Sequence, residues 1–351
     1  MKKTANKCRE SIRSHISVVS YIHVLPLLGA ITLSSGLPAF FNSCSTSPEI
    51  SVRETALKIS SDPSDVNSMD VFVFNDDPLQ RLDCYQRIDD IADWNGKIVS
   101  SSGNRIISVL ANIPGDESRW LNVSSRAHLS QISVSLEEER RENAFMSGEI
   151  RLDTGSESLA GTGLRLEPMA GEIVLRSLSC DFSGKPYEGE KLEDIKVYLI
   201  NVNAEQGILD DSPGRWRFIN VGRLEDNDLG RFWRKDLIMQ EIPEEVGEDA
   251  VYPDIRLWCY TNDTAEETPG TPFTRLVIEG KISGRIWYWP INVNRENGTG
   301  NGIVRNHRYI YDITINRKGS DDPDIPVNTE DIHINLEISQ WEEKESYEVL
   351  F

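Results

Sequence analysis

The chain has 351 residues, enough for two domains of ordinary size, and its 38% apolar and 8% aromatic content suffices for packed cores rather than disorder. Its formal charge is −20; Lys2, Lys3, Lys7, Arg9 and Arg13 against Glu10 make the first 43 residues +4, so the remainder stands near −24. A surface so acidic repels phosphate backbones and anionic headgroups, which argues against nucleic acid as a partner.

Residues 14–43 carry no formal charge and hold apolar runs around Ile16, Val18 and Val19, then Val24 to Leu28, then Ala30 to Leu33. A basic head before an apolar segment is the layout of an export signal. A membrane-retained anchor is the competing reading, but Pro26, Gly29, Gly36 and Pro38 make a poor spanning helix. The stretch ends in Phe41, Asn42, Ser43 and Cys44. A small residue just before a cysteine resembles the site where bacterial lipoproteins are acylated and cut, so Cys44 is the expected lipid attachment point. Phe41 and Asn42 depart from that pattern, and ordinary cleavage, after Ala39, is the alternative. With Cys8 in the signal and Cys44 acylated, Cys84, Cys180 and Cys259 remain. Their spacing matches no metal site, and each suits a buried apolar position or one disulfide.

Beyond residue 44 the pattern reads as strands almost throughout. The first is predicted at 55–60, with Leu57 and Ile59 facing one way. Residues 69–74 are apolar on both faces after Asp70, as in a strand buried between layers. The run 105–113 is similar. A helix is predicted from an N-cap at Ser125 to Arg140, with Leu129, Ile132 and Leu136 on one face and Glu137 to Glu139 on solvent at a fraying end. Leu178, Cys180 and Phe182 share a face, as do Ile195, Val197 and Leu199; further strands fall at 215–219, 276–282, 285–289 and 309–315. Turn residues punctuate these runs at 75–78, 212–214, 269–270 and 297–302. Gly184, Lys185, Pro186 and Gly189 place a boundary in 183–193. The expected organisation is therefore all-β, two β-sandwich domains in tandem: a signal in 1–43, an N-terminal domain over 44–187 with one short helix, and a C-terminal domain over 188–351.

Chemistry is sparse. His128, His307 and His333 lie far apart and outside any metal or catalytic spacing, and no nucleophile elbow, phosphate loop or dinucleotide fingerprint is present. Asp226, Asn227 and Asp228, or Asp321, Asp322 and Asp324, are calcium-capable residue types without the EF-hand order, so they read as solvated turns. No enzymatic activity, cofactor or metal is expected. Trp287 and Trp289 share one strand face, which allows stacking on sugar rings or, more commonly, a place in the core.

The end of the chain is distinctive. Ile332, Ile334, Leu336 and Ile338 alternate with polar residues, Trp341 follows, and Tyr347, Val349 and Phe351 alternate again. Such a strand either completes its own sheet or lies along another subunit's open edge.

Three stretches in a fixed order carry a resemblance: Met69 to Asn75, Phe145 to Glu149, and Val304, Arg305, Asn306, His307, Arg308 and Tyr309 leading into Ile313, Thr314 and Ile315. The spacing onward through Gly319 and Pro323 to the Ile332 strand and Trp341 also fits. The sequence resembles the fimbrillin superfamily of Bacteroides-type bacteria, and within it the anchor-subunit family, over most of 44–351. That resemblance implies two β-sandwich domains, export as an outer-membrane lipoprotein exposed at the surface, and assembly with other fimbrial subunits by strand exchange. It also implies that His307 is structural. Shaft subunits of the family are cut at an Arg after the first strand. Here residues 61–68 hold neither Arg nor Lys, and Arg53 precedes the predicted strand. The expectation is a subunit that keeps its first strand and anchors a pilus, contacting the next subunit through Ile332, Ile334, Leu336 and Ile338. A shaft or tip subunit, or a glycan-binding lipoprotein using Trp287 and Trp289, are the alternatives.

Overall fold

The structure, a computed structural model, describes residues 52–341 except 57, 61–65, 92–95, 156–162, 211, 213–215, 296–299 and 329–330, with backbone only for 52–60. Cys44 and Leu57 lie outside the described residues, as do Tyr347, Val349 and Phe351.

The first ten strands are β1 (Val52–Ala56), β2 (Lys58–Ser60), β3 (Met69–Asn75), β4 (Leu82–Ile88), β5 (Lys97–Ser101), β6 (Asn104–Ala111), β7 (Ser133–Ser135), β8 (Met146–Asp153), β9 (Gly163–Arg165) and β10 (Glu167–Pro168). Five of them form an antiparallel sheet in the order β10-β8-β6-β3-β4. Its middle strands are apolar on both sides because both sides are covered. Phe72, Phe74, Ile106 and Leu110 face one core, while Val71, Val73, Ile107 and Val109 face another closed by Ile98, Leu164 and Leu166. That second cover is the layer in which β1 runs antiparallel to β5 and β2 parallel to β9. The first strand thus begins at Val52, three residues ahead of its predicted start.

The predicted long helix is a single turn. Ser125 caps it as expected, its hydroxyl accepting from the His128 N–H at 3.3 Å, but the helix spans only Arg126–Leu129. The chain then extends as β7 and closes in a 3-10 turn, Leu136–Glu138. Ile132 and Val134 favour extended backbone, and a pairing partner was available elsewhere in the fold that the local pattern could not reveal. Leu129 and Leu136 are still buried. Glu139, expected on solvent, is fully buried.

Eleven strands follow: β11 (Gly171–Cys180), β12 (Glu193–Ile200), β13 (Val202–Asn203), β14 (Glu205–Gly207), β15 (Phe218–Ile219), β16 (Met239–Ile242), β17 (Ile255–Cys259), β18 (Arg275–Ile282), β19 (Arg285–Asn292), β20 (His307–Ile315) and β21 (Ile332–Gln340). Two four-stranded sheets, β17-β11-β20-β21 and β16-β12-β18-β19, contribute Ile173, Leu175, Tyr311 and Ile313 from one side and Val197, Leu199, Ile278 and Trp289 from the other to one core. β11 is parallel to β20, and a register shift between Leu175 and Ser177 ejects Arg176 while returning Leu178 and Cys180 to the core face. Cys180 and Cys259 are buried free thiols, and burial pushes each up to about 12.

Residues 183–193 connect β11 to β12, strands of the two facing sheets, while the passage from N-terminal to C-terminal pairing occurs between Pro168 and Gly171. Gly184, Pro186 and Gly189 mark a reversal within the C-terminal strand set, and turn residues alone do not distinguish a reversal from a linker. The halves are joined by the β7–β14 ladder and by a continuous core running from Phe72 and Leu136 to Leu199 and Tyr260.

Candidate assembly surfaces

The first strand is held along both of its segments, each by its own partner. Val52 to Ala56 pair residue by residue with Ser101 to Lys97, placing Arg53 inside the ladder opposite Ser100. Lys58, Ile59 and Ser60 then pair with Gly163, Leu164 and Arg165. The surrounding strands place Ile98, Val99, Leu164 and Leu166 in the cluster beneath this layer, all buried. Without β1 and β2, the backbone groups of β5 and β9 that point at them would lose their partners.

At the other end, β21 pairs antiparallel with β20 over nine residues, from His307 opposite Gln340 to Ile315 opposite Ile332. It completes its own sheet and, among the described residues, is the edge strand of that sheet. Ile332 is buried, Ile334 and Leu336 are half-buried against the core, and Ile338 is 47% exposed, so the strand's apolar face emerges from the core toward its end. On the outer face Arg176 donates to Asp312 Oδ1 at 3.0 Å and to Glu337 Oε2 at 2.9 Å, tying β11, β20 and β21 together. The bond from Arg176, with further hydrogen bonds from Ser177 and Asn335, holds the Asp312 carboxyl at about 2. Beyond β21, Trp341 packs edge-on against Trp258 at 4.9 Å and its backbone N–H donates to the Asn306 carbonyl at 3.0 Å. Arg165, which pairs with Ser60 of the first strand, also donates to Gln340 Oε1 at 3.1 Å. The end of β2 and the end of β21 therefore meet at one arginine.

No protein-family model matches the sequence, and no curated protein matches it either. Solved structures do. A candidate cell adhesion protein from Parabacteroides distasonis superposes with a TM-score of 0.63 at 16% identity, covering 83% of this chain and 99% of that one. Another, from Bacteroides eggerthii, gives 0.59 at 17% identity over 84% and 96%. A fimbrilin from Porphyromonas gingivalis gives 0.55 at 14% identity over 81% and 92%. The fold is fimbrillin-like.

Within this fimbrillin-like fold, Trp289 has no exposed surface and its indole N–H donates to the Arg317 carbonyl at 2.9 Å. A ring sealed in the core cannot stack on a sugar, so of the two places the sequence allowed for Trp289 the core is the one taken, and its stacking alternative is corrected. Trp287 lies on the same inward face, half-buried, with the Arg285 guanidinium over its ring at 4.3 Å. His307 Nδ1 sits 2.8 Å from the Arg305 carbonyl. Asn306, beside it, takes a φ of 56°, a left-handed turn that asparagine tolerates. Asp228 accepts from the Asn220 N–H at 2.9 Å and Asp324 pairs with the buried Arg275 at 2.5 Å, so these carboxylates brace loops. Among the described residues no three acidic, histidine or cysteine side chains converge as metal ligands.

Two residues that the sequence left unremarked as contacts hold the halves together. Arg305 donates to the carbonyls of Glu167 at 2.7 Å and Pro168 at 3.3 Å and pairs with Asp210. Glu139 accepts from the Phe145 N–H at 2.9 Å and from the Tyr260 hydroxyl at 3.0 Å. Burial pushes the Glu139 carboxyl up to about 8. Arg305 was legible as part of a motif, but its partners are remote in sequence. Glu139 was one of three adjacent glutamates with nothing local to single it out.

Proposed function

We propose that this chain is a non-enzymatic fimbrial subunit of the cell surface, held to the outer membrane by lipid on Cys44, which keeps its own first strand and anchors a pilus. The observation that carries this reading is the pairing of β1 with β5 and of β2 with β9 over a closed apolar layer. A protease needs an extended, unpaired segment to cut. Arg53 lies in a ladder, and residues 61–68 contain no basic residue. The layer that strand exchange would fill is then filled already, and the contact with the next subunit falls to the other end of the chain. There β21, an edge strand among the described residues with Ile338 exposed on it, is the surface suited to strand addition, and in the sequence Tyr347, Val349 and Phe351 repeat its alternation. Solved proteins of this fold include a fimbrilin and candidate cell adhesion proteins, which supports the fimbrial assignment.

The test is mass spectrometry of the protein isolated from outer membranes. An acylated Cys44 with residues 52–60 still attached is expected; a mature chain beginning after residue 60 would replace the anchor reading with a shaft subunit. Because Ile332 belongs to the core, contact is best probed beyond it. Deleting residues 342–351 together with Ile338→Glu should leave the protein at the membrane and release pili into the medium. Pili that stay attached would refute contact through this end.

A further inference from the structure

Among the described residues, three of the four edge strands of the C-terminal sheets are closed. β16 and β17 meet through Gln240, whose amide donates to the Arg256 carbonyl at 2.9 Å, and Arg141 donates to the same carbonyl at 2.7 Å. β19 is covered by the segment that follows β20. Tyr288 and Ser320 exchange backbone bonds at 3.0 and 2.8 Å, and the Val327 N–H donates to the Pro290 carbonyl at 3.1 Å. β21 is different. Only β20 pairs with it among the described residues, and Ile332–Gln340 contains no Pro or Lys to blunt its edge.

The two ends of the β20–β21 ladder fix which backbone groups stay open. The Trp341 N–H donates to the Asn306 carbonyl at 3.0 Å and the Asn316 N–H to the Asp331 carbonyl at 3.0 Å, with no register shift between them. In an antiparallel ladder alternate residues bond the same neighbour, so the odd-numbered residues of β21 face β20. Ile332, Ile334, Leu336, Ile338 and Gln340 therefore turn their N–H and C=O groups to the free edge. The apolar side chains of this set form the strip that leaves the core between buried Ile332 and exposed Ile338.

We infer that this edge receives an extended strand of a neighbouring subunit, bonded through the backbone of those five residues. A row of donors and acceptors at strand spacing is matched by another extended backbone, and the apolar strip beside it calls for apolar residues at alternate positions of that strand. The chain's own end is a poorer match, because residues 342–346 hold no Gly, Asn or Pro for a tight reversal. The inference rests on the fimbrial reading and adds to it the atoms that make the contact.

Two measurements test it. In the isolated full chain, amide exchange read residue by residue should be fast at Ile334, Leu336 and Ile338 and slow at His333, Asn335 and Glu337. Slow exchange at the first three would overturn the open edge; persisting on dilution it means that the chain covers itself, and abolished by dilution that a second copy does. On cells, Ile338→Pro with Gln340→Pro removes two outward N–H groups and leaves the bonds to β20 in place. Loss of cell-attached pili is expected, whereas Ile338→Ala with Gln340→Ala, which keeps both N–H groups, should retain them. Pili retained by the proline variant, or lost equally with alanine, would overturn the backbone contact. Pili that stay attached when the whole chain is deleted would refute the fimbrial reading itself. An unchanged thermal melt shows that the proline variant folds; if the melt falls, Gln340→Pro alone, at the last residue of the strand, takes its place.

Discussion

At Glu139 a single side chain links folding to pH. Its carboxyl is buried at the seam, held between the Phe145 N–H and the Tyr260 hydroxyl, and burial raises it from 4.5 to about 8. Tyr260 is raised as well by the same burial, and Glu138 and Arg119 lie in its field. Because the folded state holds this proton more tightly than the unfolded chain, the contribution is full below about 4.5 and is lost as pH rises through about 8. Glu139→Gln keeps an acceptor without the charge. Thermal melts at pH 5 and pH 8 should show the wild type losing stability across that interval and the variant losing less; parallel losses would mean that another group governs the trend. Gly148 is constrained by space. A Cβ there would lie 2.1 Å from the Arg165 carbonyl oxygen, a backbone atom of β9. Gly148→Ala should therefore destabilise the protein by about 2 kcal/mol or more, read from denaturant midpoints.

Among the elements, β21 is the one whose attachment can be tuned from its surface. The Arg176 bulge on β11 reaches across Asp312 of β20 to Glu337 of β21. Arg176→Ala should speed amide hydrogen exchange in β21 while leaving β12 and β18 protected, since the core contacts of Ile332 and Leu336 remain. The same clamp depends on acid pH. Asp312 is held at about 2, below its ordinary 3.8, so its contribution is present above 3.8 and lost as pH falls toward 2. Exchange that is uniform across the sheet, in the variant or at low pH, would show that the clamp does not act locally. The segment 125–140 teaches the complementary lesson. Its apolar spacing satisfied a helix, and the same Leu129 and Leu136 reach the core through one helical turn, a strand and a 3-10 turn. Periodicity records which residues are buried more faithfully than the backbone that buries them.

For the whole molecule, the halves behave as one body only as far as their seam holds. Arg305 spans it, mostly covered, with charge-assisted bonds to carbonyls of β10. Arg305→Ala should cost about 2–3 kcal/mol in chemical denaturation, the scale of hydrogen bonds made by a charged group. A transition that also splits in two would identify the seam as the weaker contact; no change at all would show that the shared apolar core alone joins the halves. Removing residues 52–60 acts on the other side of the N-terminal sheet, where β5 and β9 would be left with open edges.

The order of apolar runs and turn residues was enough to establish an all-β chain with buried central strands at 69–74 and 105–111, because alternation and two-sided apolarity are local consequences of layer packing. The final amphipathic strand was legible for the same reason. What the sequence could not decide was partnership. That the first strand pairs with β5 and then β9, that β21 closes on β20, that Trp289 faces inward and Trp233 outward, and that one glutamate of three is buried all depend on residues tens to hundreds of positions away. Such long-range pairings have no local signature, because register and facing are fixed only when the layers close over a common core.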